Sequence, residues 1–445
     1  MSLKTKQIQA KYYLNKQGEF VIENYNYAKP FANFFPGIAG KYGIPMWVFY
    51  VNRGQCISSF GTKDKDHAIL EFFPANKAWQ FVCSQGFRTF IKIKSQKDFI
   101  YYEPFHNGYA SLKYHTVNSM RISSSALILE EENFSLGIKV KVEYFNIPND
   151  TYAGLSRTVT VENTGNKLKN IQLIDGLPQI VPFGTNNFFL KKLGRTIEAW
   201  MKIDNLNNDI PFYKLEVDPT DRPEVVHINE GNFYLSFNFN GTTPKLIRPI
   251  VDPEAVFGAV TDFSYPALFL AKNNFGYPTK QITKSKTPSA LLLLNLKLAS
   301  GAQKVFYSVI GQARDKKTLN QSVKKITKFG YLEKKFAQNN ELITKLKNDI
   351  STTSSSKALD LYTGQTYLDN IMRGGYPEVF KNGTTFYLYS RKHGDLERDY
   401  NKFVLAPTYF SQGNGNYRDI NQNRRNDVWF NPKIKDSKSL NYFLN

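Results

Sequence analysis

At 445 residues, 41% of them hydrophobic and 15% aromatic, the chain is too long for one core and too apolar to stay unfolded, so two or more folded domains are expected. Its net charge of +20 comes from lysines scattered among Asn and Ile. There is no run of five or six like charges and no nucleic-acid-binding signature, which argues for a solvated basic surface and against a nucleic-acid partner. The opening MSLKTKQIQAKYYL has no apolar leader and no stretch of 18 apolar residues occurs, so no secretory signal and no membrane span are read, and a cytoplasmic location is expected.

Up to about residue 314 the pattern is that of β-strands. MWVFYVN (46–52), AILEFF (68–73), RTFIKIK (88–94) and DFIYYEP (98–104) are rich in β-branched and aromatic residues. IKVKVEY (138–144) alternates apolar and polar residues, as a half-buried strand does. RTVTVENTGNKLKNIQLIDGL (157–177) reads as strand, Asn-Thr-Gly turn and strand, and ALLLLNLKLASGAQKVFYSVIG (290–311) as a second such pair around Ser300-Gly301. Many strands with turn signals predict a sandwich or large antiparallel assembly over 1–314. Glycines at 37, 40, 43, 54 and 61 fit turns, because neither phosphate-loop pattern is present. KDKDHAILEFFPANKAWQ (63–80), with Asp64, Asp66, His67 and Glu71, reads as a loop followed by a strand. Cys56 and Cys83 lie in apolar runs and read as reduced core cysteines, a cross-strand disulfide being the alternative.

After Gly311 the period changes. Leu319, Val323, Ile326, Leu332, Phe336, Leu342 and Leu346 recur at helical spacing with lysines on the other faces, predicting an amphipathic pair over 315–350 broken near Gly330. STTSSS (351–356) is a linker or a helix start. ALDLYTGQTYLDNIMRGG (358–375) predicts a helix stopped by a double glycine. TTFYLYS and KFVLAP are strand-like pieces in a Gly/Asn-rich remainder, and 351–445 reads as a second domain that looks unfinished.

Three stretches carry chemistry. YFSQGNGNYRDINQNRRNDVWF (409–430) combines amides, an Arg-Asp pair, Tyr417 and two close-approach glycines, which suits a ring of hydroxyls; a polar loop closed by its own hydrogen bonds is the equal alternative. RKHGDLERDY (391–400) gathers His393, Asp395, Glu397 and Asp399 for acid–base work or phosphate binding, against the plainer reading of a surface salt-bridge cluster. Arg53 and Gln55, in the turn VNRGQ, are weaker ligand-contact candidates, a tight turn being the plainer reading. The five histidines show no metal-ligand spacing, so no metal is expected.

The segments RTVTVENTG, KLASGAQKVFYSVIGQARDKKTLNQSVKKI (297–326) and above all NYRDINQN (416–423) resemble the cellobiose-phosphorylase type of inverting glycoside phosphorylase (glycoside hydrolase family 94 and its relatives, families 149 and 161). The region from VNRGQ to PANKAW is more similar to the longer β-glucan phosphorylases. The resemblance implies a β super-sandwich over 1–314, a helical linker over 315–350, and the beginning of an (α/α)6 barrel over 351–445, often in a homodimer. It implies phosphorolysis of a β-glucosidic oligosaccharide to α-glucose 1-phosphate, with inorganic phosphate as co-substrate and no cofactor. Arg418, Asp419 and Gln422 match the family's sugar-gripping signature beside Tyr417, while Asn423 stands where the signature has Asp and cannot carry its charge. The family's general acid lies in an Asp-Trp-Asn-Asp-like motif that this sequence lacks, so the chain is expected to end before it and to be inactive alone. A stand-alone carbohydrate-binding sandwich is the alternative.

Overall fold

A computed structural model describes residues 8–35, 38–96, 98–106, 113–220, 223–374, 376–388 and 427–435. The strands pair antiparallel throughout. The largest sheet has eleven strands. From edge to edge it runs β1 (Lys11–Leu14), β2 (Phe20–Glu23), β9 (Thr116–Ile122), β10 (Leu127–Asn133), β11 (Ile138–Asn146), β12 (Ala153–Asn163), β20 (Gln303–Ala313), β16 (Gly231–Asn240), β15 (Phe212–Leu215) and β14 (Met201–Asp204), with β17 (Thr243–Leu246) paired to β16. A five-stranded sheet follows the order β18 (Pro249–Ile250), β19 (Ala290–Leu298), β13 (Lys169–Leu177), β7 (Arg88–Lys94) and β8 (Phe99–Tyr102). A four-stranded sheet comprises β3 (Ala32–Phe35), β4 (Trp47–Val51), β5 (Ile57–Gly61) and β6 (Ala68–Leu70), and β21 (Tyr376–Val379) forms a hairpin with β22 (Thr385–Leu388).

The alternation read in IKVKVEY is real: Ile138, Val140, Val142 and Tyr144 are fully buried, while Lys139, Lys141 and Glu143 are partly exposed. These residues join Val159, Val161, Ile91, Leu173, Leu292 and Val48 in one core between the large sheet and the two smaller ones. The protein is thus a mainly β super-sandwich. Strand β12 is buried on both faces over Ala153–Arg157 and alternates only beyond it, because helices cover the far face of the large sheet over its first half.

Those helices are α2 (Lys316–Ile326) and α3 (Tyr331–Lys347). Asp315 caps α2 by accepting the amide of Thr318 at 2.6 Å. Gly330, with φ 78°, makes the break before α3 in a conformation that favours glycine. Leu319, Ile326 and Leu332, with Val323 and Phe336 beside them, pack on Phe145, Phe233, Leu235 and Val309 of the sheet. The docking is fixed electrostatically at Asp150, in the loop between β11 and β12. Lys325 reaches both carboxylate oxygens at 3.0 and 3.1 Å, Lys335 reaches one at 2.9 Å, and the Tyr331 hydroxyl donates to it as well. Lys335 also donates to the carbonyls of Pro148 and Asn149 at 2.7 and 3.0 Å.

The helix expected at 358–375 is α4 (Lys357–Gly374), preceded by irregular chain over 351–356. Its Tyr367, Leu368 and Ile371 pack with Ile343 and Leu346 of α3 against Trp47, Phe49 and Phe72 of the four-stranded sheet region. One expectation fails. PANKAWQ is not a strand but the start of helix α1 (Ala75–Gln85), which follows Pro74 and buries Ala78 and Val82 against Val51. Pro74 ends the extended chain, and the spacing of Ala78 and Val82 is helical. Both cysteines are free. Among the described residues no helix is long and apolar enough to cross a membrane, and no His/Cys/Asp/Glu group is arranged to hold a metal.

Candidate functional site

The turn that carries Arg53 and Gln55 bends through two positive-φ residues on either side of Gln55, Gly54 at 54° and Cys56 at 69°. This sends the two side chains in different directions. Arg53 gives its guanidinium to the carbonyls of Asn52, Ala28 and Tyr25 at 2.7, 3.0 and 3.4 Å, and lies 4.6 Å from the centre of the Trp79 ring. It ties α1 and the segment before β3 to the turn. Gln55 is only 2% exposed. Its amide donates to Thr89 at 2.8 Å, and its oxygen accepts from Arg157 at 2.6 Å.

Arg157 and Asp175 are both completely buried. Arg157 meets both oxygens of Asp175, Thr89 donates to that carboxylate at 2.6 Å, and Arg157 also donates to the Tyr144 hydroxyl at 3.3 Å. Burial alone pulls the guanidinium down, but the Asp175 charge and Tyr144 outweigh it and hold Arg157 above its ordinary pKa. The residues come from β7, β11, β12, β13 and the turn before β5, so this one network joins all three sheets. Gln55 therefore sits in the interior of the sandwich.

Tyr417, Arg418, Asp419, Gln422, Asn423, His393 and Asp395 lie outside the described residues, as does KFVLAP. The helical turn α5 (Asp427–Phe430) that follows the signature in sequence is described. Phe430 packs edge-on against Tyr367 of α4, ring centres 5.3 Å apart, and Ile434 beyond it is fully buried.

Helix α4 also walls a cleft of about 800 Å³, opposite the β1–β2 hairpin and strand β3. Tyr12 and Phe20 stack across the hairpin at 6.2 Å and 20°, and Tyr362 of α4 stands 68% exposed. Asn33, Gln365 and the serines of the β9–β10 turn also line it. Ser124 donates to Gln365 at 3.0 Å and accepts from Lys347 at 3.0 Å, which ties α3 and α4 to that turn. Burial lowers the Lys347 pKa. Flat rings lining one cleft with amides and hydroxyls suit the two faces of a pyranose: apolar C–H on one side, hydroxyls around the rim. Asp369 is the single carboxylate lining the cleft among the described residues. Sequence reasoning missed Tyr12, Phe20, Tyr362 and Gln365. The available signal was the closely spaced rings in KYYL and FVIE, where one face of a two-stranded edge stays uncovered.

No family model matches the chain, and no curated protein matches it. Solved structures do. One described as a kojibiose phosphorylase from the human microbiome aligns with 79% of this chain and 32% of its own, at 9% identity and a TM-score of 0.25. A bacterial glucoamylase complexed with acarbose aligns over 84% and 48%, at 11% identity and a TM-score of 0.38. An inverting mannosidase of family GH92 from Bacteroides thetaiotaomicron aligns over 80% and 37%, at 10% identity and a TM-score of 0.20. The chain spans about half or less of the length of these structures.

Proposed function

We propose that the chain is the N-terminal part of a glycoside phosphorylase acting on β-glucosidic oligosaccharides, releasing α-glucose 1-phosphate with inversion, and that it holds carbohydrate without turning it over alone. The observation that carries this reading is the order of parts. An antiparallel super-sandwich gives way after Ala313 to a helix pair that folds back on it, and then to α4, which walls an aromatic cleft. The Tyr417-Arg418-Asp419 signature follows on the same chain. In this reading 351–445 begins an (α/α)6 barrel, Arg418, Asp419, Gln422, Asn423 and Tyr417 grip the sugar, phosphate takes the place of water, and two copies form a homodimer in the cytoplasm.

The test is phosphate release from α-glucose 1-phosphate with cellobiose, laminaribiose or longer β-glucans as acceptors, using protein that melts cooperatively. No release is expected, together with saturable oligosaccharide binding seen as a change in intrinsic fluorescence. Turnover would refute the inactive-part reading and make Asp395, Glu397 and Asp399 the first residues to mutate. The aromatic cleft supports a second reading, a stand-alone binding sandwich. Arg418→Ala separates the two: at least tenfold weaker binding favours the phosphorylase part, and unchanged affinity favours the binding module. Under either reading Tyr362→Ala is expected to weaken oligosaccharide binding about tenfold, since one stacked ring contributes about 1 kcal/mol or more. Titration of the variant checks this.

A further inference from the structure

The outer face of the five-stranded sheet changes character halfway along its strands. Phe90, Ile174 and Leu291 are buried beneath Phe257, Phe269 and Phe275 of the 254–275 segment. Beyond Phe90, Ile174 and Leu293 the same face becomes polar. Lys92 pairs across the sheet with Gln172, and Gln172 with Asn295. One more step brings Lys94, Asn170 and Lys297 to that face, with Asn170 opposite Lys297 and Phe99 opposite Lys94. This half is open, and with Asn273 and Asn274 it forms a cleft of about 620 Å³.

The polar groups are pre-positioned. Gln172, 8% exposed, donates to the oxygens of Asn295 and Asn274 at 2.7 and 3.2 Å and to the carbonyl of Phe275 at 3.0 Å, and accepts the Phe275 amide at 2.9 Å. The oxygens of Asn295 and Asn274 thus turn toward the two hydrogens of the Gln172 NH2, and their own NH2 groups line the cleft as donors. Among the described residues, Asn170, Asn273, Asn274 and Asn295 give no NH2 hydrogen to a protein acceptor. Beneath them Lys92 is 2% exposed. Its ammonium donates to the carbonyls of Phe269 and Lys272, both at 2.8 Å, and lies 4.2 and 5.0 Å from the ring centres of Phe269 and Phe99. No carboxylate pairs with it among the described residues, and desolvation brings its pKa down to about 8. Lys94 and Lys297 are likewise without ion pairs among the described residues. The cleft as a whole sets three lysines against one carboxylate, Asp98.

A surplus of amide donors beside three lysines that form no ion pair among the described residues calls for an acceptor-rich, negatively charged ligand. We propose that this cleft binds a small anionic saccharide, a sugar ring bearing a carboxylate or a phosphate group. Lys94 and Lys297 flank Asn170 and take the charged group. The amides of Asn274 and Asn295 donate to ring hydroxyls, and Phe99 closes one side. The site is separate from the aromatic cleft and does not depend on the phosphorylase reading.

Isothermal titration of the full chain with glucose, glucose 6-phosphate, glucuronate and inorganic phosphate tests it. At least one of the two anionic sugars is expected to bind, ten or more times more tightly than glucose or inorganic phosphate. Which of them binds identifies the charged group. Lys297→Ala and Asn295→Ala, both exposed positions, are expected to weaken that binding about tenfold while the variants melt as the parent does, and Arg418→Ala is expected to leave it unchanged. Saturation by neither anionic sugar, equal binding of inorganic phosphate, or loss with Arg418→Ala but not with the cleft variants would each overturn the assignment.

Discussion

Arg157→Ala is expected to lower the stability of the sandwich by about 3–5 kcal/mol, the usual cost of removing one partner from a buried ion pair. The substitution leaves the completely buried Asp175 carboxylate with only the Thr89 hydroxyl among the partners described for it. It also deprives the Gln55 oxygen and the Tyr144 hydroxyl of their donor. Phe87, whose ring lies 4.9 Å from the guanidinium, would then face a void. Urea unfolding measures the loss. Replacing both charges with apolar residues of similar volume, Arg157→Met with Asp175→Leu, is expected to restore most of the stability, because the desolvation cost disappears along with the attraction. Equal stability of Arg157→Ala and the parent would show that the sheets are joined by apolar packing alone.

The second large effect belongs to Asp150. Its carboxylate receives Lys325, Lys335 and Tyr331, and its side chain is 3% exposed. Asp150→Ala is expected to cost about 3 kcal/mol or more and to act locally. Lys335, 6% exposed, would keep only the backbone carbonyls of Pro148 and Asn149. Helices α2 and α3 should loosen before the sheets do, so limited proteolysis is expected to cut between 313 and 331 while the β core persists. Burial on its own would raise the Asp150 pKa, but the hydrogen bonds from Tyr331, Lys335 and Lys325 hold it below the ordinary carboxylate value. A lowered pKa in the folded state means that the contribution is complete above the unfolded value, about 3.9. It fades as pH falls through the lower folded value. Helix docking is therefore expected to hold at pH 5 and to weaken below about 4. Asp150→Asn should lack that acid step; a step of the same size in the variant would assign it to other carboxylates.

The legible parts of the fold were those governed by one period. Leu319, Val323, Ile326, Leu332 and Phe336 spelled out a helix face, and that face does meet the sheet. IKVKVEY showed its alternation for the same reason. Where two effects compete, local pattern failed. The apolar letters of PANKAWQ suggested a strand, yet Pro74 and the spacing of Ala78 and Val82 make a helix. Strand β12 is read only from Arg157 on, and its first half is buried on both faces because helices some 160 residues later cover it. Gln55 had the chemistry of a ligand contact, and nothing local reveals that Arg157 and Thr89, on two other strands, enclose it. The aromatic cleft depends likewise on α4 lying beside β1 and β2, an adjacency that no window of sequence contains. The amide cleft was hidden because Lys92, Gln172 and Asn295 become neighbours only through sheet register.

The pairing of β12 with β20 also sets a schedule for making this protein. The partners, such as Val159 and Phe306, lie roughly 150 residues apart in the chain. During synthesis the β9–β12 meander can zip up promptly from neighbouring segments, but one flank of β12 then stays bare until β20 emerges. At ~5–20 residues per second that delay is roughly 7–30 s. Throughout it the row of open backbone amides and carbonyls on β12, carrying Val159 and Val161, is a template for any other extended chain. The nascent protein is therefore most prone to self-association midway through its birth, and a chaperone that holds extended segments would raise its yield most when it acts within that interval.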